Sequence, residues 1–162
     1  MDSVKQGEGT MLGKPLEILL VEDNEAHAKI VERGLKNHRI ANRLHHVPDG
    51  KAALDYVFRR GEFSDPEVSP RPHVILLDLR LPKVDGLEVL KTIKEDKEAR
   101  RIPVIVLTTS EAEKDVMTAY DNHANAYLTK PVDFDKFAQQ MNDLGFFWLC
   151  WNVNPDGAAQ TQ

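Results

Sequence analysis

Short apolar runs alternate with amphipathic stretches along this chain, and the alternation limits the folds that it can adopt. Repeated strand–helix pairs are typical of a parallel sheet whose faces are covered by helices. The pattern predicts strands at 16–21, 43–48, 73–78, 102–107 and 125–129. It predicts helices at 25–38, 50–60, 86–97, 111–122 and 133–144.

Residues that favour caps and turns stand between the predicted elements. Asp49, Asp85 and Ser110 precede predicted helices, where a side-chain oxygen can accept a hydrogen bond from an N–H group of the first turn. The segment 61–72 contains three prolines and a glycine. It therefore predicts a surface loop between the second helix and the third strand.

The length and charge of the chain restrict its class. A length of 162 residues fits one folded domain. The formal net charge of −5, without a long basic run, argues against nucleic acid or an anionic membrane as the main partner. Cys150 is the only cysteine, so a reducing compartment is expected. No apolar run approaches transmembrane length and 1–14 lacks the apolar segment of a secretory signal, so we expect a cytoplasmic protein.

Three acidic residues follow two of the predicted strands. Glu22 and Asp23 end the first strand, and Asp78 ends the third. The carboxyl ends of parallel strands meet at one edge of a sheet, so we expect these carboxylates to lie together. Crowded carboxylates repel one another unless a cation intervenes, and hard oxygen ligands favour a small divalent ion. The pattern predicts a Mg²⁺ site, with Mn²⁺ as the alternative ion.

Two further strand ends supply a hydroxyl and an ammonium group. Thr108 ends the fourth predicted strand and Lys130 the fifth. A carboxylate such as Asp78 can attack an activated phosphorus and form an aspartyl phosphate. Cations and hydrogen-bond donors must then neutralise the charge of the transferring group. Separately, each residue has an ordinary interpretation: Glu22-Asp23 a helix-capping turn, Lys130 a surface lysine, and Thr108 a strand-end hydroxyl.

The ordered set resembles the receiver domain of two-component response regulators, of the type found in chemotaxis regulators. The resemblance covers about 16–144, and we divide the chain into a flexible N-terminus at 1–14, a receiver domain at 15–145 and an aromatic tail at 146–162. It implies a doubly wound (βα)5 sandwich of three layers with strand order 2-1-3-4-5. It also implies that Asp78 is the phosphoacceptor, that the backbone carbonyl of Arg80 is a metal ligand, and that the bond before Pro131 is cis.

The resemblance implies a switch as well. On phosphorylation Thr108 moves toward the phosphoryl group, Tyr127 turns inward, and a surface built from about 111–144 signals to a protein partner. Tyr127 could equally be an ordinary core aromatic. Thr109 stands in the phosphoryl-binding segment where many relatives carry Ala or Gly, so slower hydrolysis is expected. Such a protein is not an enzyme beyond its own phosphorylation and dephosphorylation.

Three features narrow the resemblance to regulators that are paired with bacterial and cyanobacterial phytochrome histidine kinases. They are the proline-rich loop, the stretch 123–133 and the aromatic tail. The implied phosphodonor is a histidine kinase of the bacteriophytochrome class. The apolar tail could pack on its own domain, but an exposed cluster of this size usually marks an association surface, so a homodimer is favoured. The tail residues are Phe146, Phe147, Trp148, Leu149 and Trp151.

Two other functions stay open from the residues. One is a receiver-like interaction module that is never phosphorylated, against which the intact acid, threonine and lysine set argues. The other is a Mg²⁺-dependent phosphatase that forms an aspartyl phosphate. Such enzymes typically carry a second acid two residues after the nucleophile, where this chain has Arg80. The six histidines show no spacing typical of a zinc site.

Overall fold

Five parallel strands form one sheet in the order β2-β1-β3-β4-β5 in the computed structural model, which describes residues 15–36, 42–109 and 112–146. The strands are β1 (Leu16–Val21), β2 (Asn42–Val47), β3 (Val74–Leu77), β4 (Val104–Thr108) and β5 (Ala126–Thr129). The helices are α1 (Glu25–Lys36), α2 (Gly50–Val57), α3 (Gly86–Glu95), α4 (Glu113–Asp121) and α5 (Phe134–Phe146). The predicted fold class and strand order are confirmed.

Strand side chains point alternately to the two faces of the sheet, and each face has its own apolar core. On one face Leu19, Ile75 and Val106 pack with residues of α2, α3 and α4. On the other face Leu20 and Ile105 pack with residues of α1 and α5. Because both faces are covered, β1, β3 and β4 are buried along their whole length. The result is a three-layer α/β/α sandwich.

The helix starts follow the predicted caps in two cases. The side chain of Asp49 accepts a hydrogen bond from the N–H of Ala52, and that of Asp85 accepts one from Leu87. Helix α4 begins at Glu113 rather than at 111, and its N-cap residue Ala112 offers no side-chain acceptor. Ser110, the predicted cap, lies outside the described residues.

Helix α2 ends earlier than the sequence pattern predicts. It stops at Val57 instead of residue 60, because Arg59 has a φ of 57° and leaves the helical conformation. A 3-10 turn, Gly61–Phe63, follows and opens the predicted loop at 61–72. The hydroxyl of Tyr56 ties α2 to this loop by donating to the carbonyl of Pro70 at 2.9 Å.

The peptide bond before Pro131 is trans, so the expected cis bond is wrong. No peptide bond within the described ranges is cis. The trans form of an X–Pro bond is favoured by about 0.5–1 kcal/mol, and a cis bond forms only where a tight turn overcomes that preference. Here the chain passes from β5 to α5 through Asp133, whose side chain accepts from the N–H groups of Asp135 and Lys136. Across the described ranges, every helix is too short or too polar to span a bilayer.

Candidate functional site

The carboxyl edge of the sheet brings the predicted site residues together. Glu22 directly follows β1, Asp78 follows β3, Thr108 ends β4 and Lys130 follows β5. The backbone ladder holds these ends in register, since the N–H of Asp78 donates to Val21 and that of Lys130 donates to Thr108. Parallel pairing therefore assembles residues that are up to 108 positions apart in sequence.

The three acids form one cluster. Glu22, Asp23 and Asp78 each offer a carboxylate oxygen, and these oxygens lie within 4.8 Å of one another. Glu22 is 1% exposed and Asp78 7% exposed, whereas Asp23 is open to solvent. An oxygen-only donor set of this size fits a hard divalent cation such as Mg²⁺ or Mn²⁺. The open side at Asp23 leaves room for a ligand to approach.

The Lys130 ammonium group lies between two of these acids, Glu22 and Asp78. Its side chain is 2% exposed, and its Nζ donates to Asp78 Oδ2 at 3.1 Å and to Glu22 Oε1 at 2.5 Å. A buried ammonium needs such partners, because an unpaired buried charge is strongly destabilising. Burial raises the pKa of Glu22 to about 7, and the hydrogen bond and charge of Lys130 oppose this rise. Lys130 thus offsets negative charge where the acids are most crowded.

The carboxylate of Asp78 is oriented from both sides. Its Oδ2 accepts from Lys130, and its Oδ1 accepts from the backbone N–H of Arg80 at 3.2 Å. The guanidinium of Arg80 points to α4, where Nη2 donates to Asp115 Oδ2 at 2.6 Å. The Arg80 side chain is therefore engaged away from the acids, as expected for a residue that would offer only its carbonyl to a metal.

His27 also belongs to the site, although sequence reasoning missed it. Its Nδ1 lies 3.1 Å from Lys130 Nζ and 4.0 Å from Glu22 Oε2. Burial first, and then the Lys130 charge, lower the pKa of His27, so the neutral ring can accept from the ammonium. Phe137 of α5 packs edge-on to the imidazole at 5.4 Å. The only signal in the sequence was its position one helical turn beyond Glu22-Asp23.

The remaining predicted residues lie at β4 and β5. Thr108 is fully buried, and the register pairs it with Thr129, next to Lys130. Thr109 is exposed at the mouth of the site. Tyr127 pairs with Val106 and packs, half-buried, against the core on the α2–α4 face. Of the tail, only Phe146 falls within α5, and its side chain and residues 147–162 lie outside the described part of the chain.

Comparison with known proteins assigns the family. A profile of the response regulator receiver domain matches residues 18–142. The chain belongs to this family. The receiver fold therefore accounts for the sheet order, and its active-site acids for the cluster at the carboxyl edge. Receiver domains are generally signalling modules rather than enzymes.

Three relatives place this receiver more closely. It is 46% identical over 144 residues to the probable methanogenesis regulatory protein FilR2 of Methanothrix harundinacea, covering 89% of this chain and 90% of FilR2. The Mn²⁺-bound form of response regulator Rcp1 superposes with a TM-score of 0.83 at 44% identity, covering 87% of this chain and 99% of Rcp1. The phosphorylated cyanobacterial phytochrome response regulator RcpA superposes with a TM-score of 0.83 at 39% identity. The match covers 88% of this chain and 99% of RcpA.

The metal expectation agrees with the relatives. Rcp1 has been crystallised with Mn²⁺, and the receiver domain of the sensor kinase PA1611 with a magnesium ion coordinated in its active-site cleft. In this receiver the same chemistry is available from three clustered carboxylates. The residues present therefore fit a divalent metal cofactor.

Proposed function

We propose that this receiver accepts a phosphoryl group on Asp78 from a histidine kinase and signals through its α4-β5-α5 surface. The observation that carries the proposal is the buried Lys130 ammonium, which bonds Asp78 and Glu22 at once. A carboxylate that served only as a surface cap would need neither burial nor a buried counter-charge. The arrangement suits a group that gains negative charge during a reaction.

The reaction follows from the orientation of Asp78. One carboxylate oxygen forms a bond to phosphorus while the phosphorus–nitrogen bond of the donor phosphohistidine breaks, and the imidazole leaves with the kinase. Lys130 donates to the phosphoryl oxygens, and the Thr108 hydroxyl is the second donor at the same edge. Glu22, Asp23, Asp78 and the Arg80 carbonyl would hold Mg²⁺ or Mn²⁺, which neutralises phosphoryl charge when bound.

The change at the α4-β5-α5 surface depends on which residues the phosphoryl group contacts. A ligand shifts a conformational equilibrium only if it binds one state better than the other. Thr108 ends β4 next to the start of α4, so a hydrogen bond from its hydroxyl to the phosphoryl group favours one position of this segment. Tyr127, half-buried on the neighbouring strand, can turn into space that Thr108 leaves. This switch role of Tyr127 is part of the proposal.

A phytochrome kinase is the proposed phosphodonor. The support is the similarity to RcpA, a cyanobacterial phytochrome response regulator. The identity to FilR2, a probable methanogenesis regulatory protein, is higher, at 46% against 39% for RcpA, so sequence identity does not by itself select a kinase. Phosphotransfer from a purified phytochrome kinase should be at least about tenfold faster to this receiver than to an unrelated one. Equal rates would contradict a phytochrome kinase as the phosphodonor but would not contradict phosphorylation of Asp78.

The deciding experiment is the intact mass after incubation with acetyl phosphate and Mg²⁺, beside a chelator control. We expect the gain of one phosphoryl group, its loss with chelator, and its absence in Asp78→Asn. Asp23→Asn is the matched acidic control, since it weakens the metal site but keeps the acceptor, so phosphorylation should slow rather than disappear. Absence of any gain, with acetyl phosphate and with kinase alike, would favour a phosphorylation-independent interaction module.

A further inference from the structure

The edge of the sheet opposite Asp78 carries a pocket that phosphoryl acceptance does not use. It has a volume of about 500 Å³ and is lined by Lys94, Arg100, Arg101, His123 and Asn125. Arg101 lies just before β4 and Asn125 just before β5, so the pocket sits at the amino ends of these strands. Strands of this length separate it from the phosphoacceptor edge by roughly 13–17 Å.

The pocket lining is cationic, in contrast to the chain as a whole. Its five lining residues include two arginines, one lysine and one histidine, and no acidic residue is among them. The full chain has a formal net charge of −5. The side chains of Arg100, Arg101 and His123 are exposed, and none of them makes a hydrogen bond or ion pair with another residue in the described ranges. Their donors are therefore available to a ligand.

Lys94 is held in the pocket wall by three hydrogen bonds. Its Nζ donates to the carbonyl oxygens of Arg100 and Ile102, at 3.0 and 2.8 Å, and to Asn125 Oδ1 at 3.2 Å. These acceptors are uncharged, and in the described chain Lys94 has no carboxylate partner. Burial lowers the pKa of Lys94 to about 8, as expected for a charge that lacks compensation. An anion in the pocket would supply the missing negative charge.

The same contacts make the pocket wall rigid. Asn125 Oδ1 accepts from the N–H of Val104 at 2.8 Å as well as from Lys94, so it joins the starts of β4 and β5. Lys94 anchors the backbone on both sides of Arg101. A wall that is already ordered loses less conformational entropy when a ligand binds.

We propose that this pocket binds a small phosphate-bearing anion. A guanidinium group presents paired N–H donors that match phosphate oxygens, and two arginines, Arg100 and Arg101, line this pocket. A doubly charged phosphate compensates this density of positive charge better than a single carboxylate does. The volume falls within the range of small-molecule sites, about 300–1,000 Å³, so it can hold a phosphate together with the body of a small ligand. The site is independent of Asp78 chemistry, and each can fail without the other.

The test is a residue-resolved NMR titration of the full chain with pyrophosphate at constant ionic strength and without Mg²⁺. We expect saturable shifts of the Arg101, His123 and Asn125 amides, which are distinguishable from any shifts at Asp78 or Lys130. Replacing both pocket arginines, Arg100→Gln with Arg101→Gln, should weaken binding by about tenfold or more. Both side chains are exposed, so the fold should persist, as the unshifted core amides would show.

The matched control carries Lys91→Gln with Lys97→Gln, which removes the same charge from exposed residues outside the pocket. It should change the affinity by no more than about twofold. Equal weakening in the two double variants, or shifts scattered over the basic surface without saturation, would overturn the site. Succinate, a dicarboxylate, should bind more weakly than pyrophosphate. Equal affinity for the two would contradict a preference of the pocket for phosphate. Inorganic phosphate and a nucleoside diphosphate then distinguish a bare phosphate from a larger ligand.

Discussion

Arg80 connects Asp78, at the end of β3, to helix α4 through its backbone N–H and its guanidinium group. Its backbone N–H donates to Asp78, and its guanidinium donates to Asp115, which is only 3% exposed. A buried carboxylate is stabilised by a charged hydrogen-bond donor, so loss of the guanidinium should cost folding free energy. The contact therefore stabilises the start of α4 from the loop that follows β3.

Arg80→Gln should lower the free energy of unfolding by about 1–2 kcal/mol, less than for a fully buried pair because the guanidinium is 59% exposed. The double variant Arg80→Gln with Asp115→Asn should lose less free energy of unfolding than the sum of the losses in the two single variants. Urea unfolding measures each loss. Lys51 and Asp55, an exposed pair on one helix, are the control, with an expected coupling of about 0.3–0.5 kcal/mol. Strict additivity of Arg80→Gln and Asp115→Asn would show that the two side chains do not act together.

The limits of sequence reasoning are clear at single residues. Glu22, Asp78 and Lys130 could be brought together from sequence, because each follows a strand and parallel strands end at one edge. His27 could not, since its contact with Lys130 depends on how α1 is rotated on the sheet, which packing against Phe137 decides. The Arg80–Asp115 ion pair could not be predicted from the sequence for the same reason, since it depends on where α4 packs against the sheet.

Helices α1 and α5 approach closely because Gly34 has no side chain. A Cβ atom at Gly34 would lie 2.8 Å from Met141 Cβ, closer than carbon atoms pack. Gly34→Ala should therefore lower the free energy of unfolding by about 1–3 kcal/mol. Helix propensity alone predicts the opposite sign, a gain of about 1 kcal/mol. Lys29→Ala on the exposed face of α1 is the control, and a Gly34→Ala protein that melts higher than the parent would contradict the close packing.

The contact between α2 and the proline-rich loop depends on a neutral phenol. Tyr56 is 4% exposed, and burial raises its pKa to about 12 from an ordinary value of 10. The folded state thus holds a proton that the unfolded state releases, so this contribution to stability is complete below pH 10 and is lost as the pH rises through about 12. Tyr56→Phe should cost about 0.5–1.5 kcal/mol at pH 8 through the lost hydrogen bond to Pro70.

The stability difference between the parent and Tyr56→Phe should shrink from pH 10 to pH 12, as followed by urea unfolding at each pH. Tyr120→Phe, which removes a phenol that is 49% exposed, is the control measured over the same pH range. A Tyr56→Phe difference that stayed constant across this range would mean that the phenol titrates alike in the folded and unfolded chain.

At the scale of elements, sequence periodicity was a good guide to strands and a poorer guide to helix ends. The central strands β1, β3 and β4 were predictable because burial on both faces produces continuous apolar runs. The end of α2 was not, because the left-handed conformation of Arg59 is imposed by the following turn rather than by its residue type. The trans bond at Pro131 likewise depends on the local path of the chain from β5 to α5.

Two groups of charged side chains lie at opposite ends of the sheet in the described part of the chain. The acids gather at the carboxyl ends of the strands, and the pocket at the amino ends is cationic. One parallel sheet thus presents two oppositely charged sites on separate edges.

An apolar segment follows helix α5 and bears on the assembly of the protein. Helix α5 runs to Phe146, and the sequence continues with Phe147, Trp148, Leu149 and Trp151. We expect this apolar segment to hold a homodimer, because a cluster of large apolar side chains is more stable when a second copy covers it. Deletion of 147–162 should give a folded monomer by sedimentation equilibrium, whereas deletion of 1–14 should leave the dimer intact. If the truncated protein unfolds, the double variant Trp148→Ser with Trp151→Ser tests the same segment and should also be a monomer. A parent protein that sediments as a monomer would contradict the homodimer.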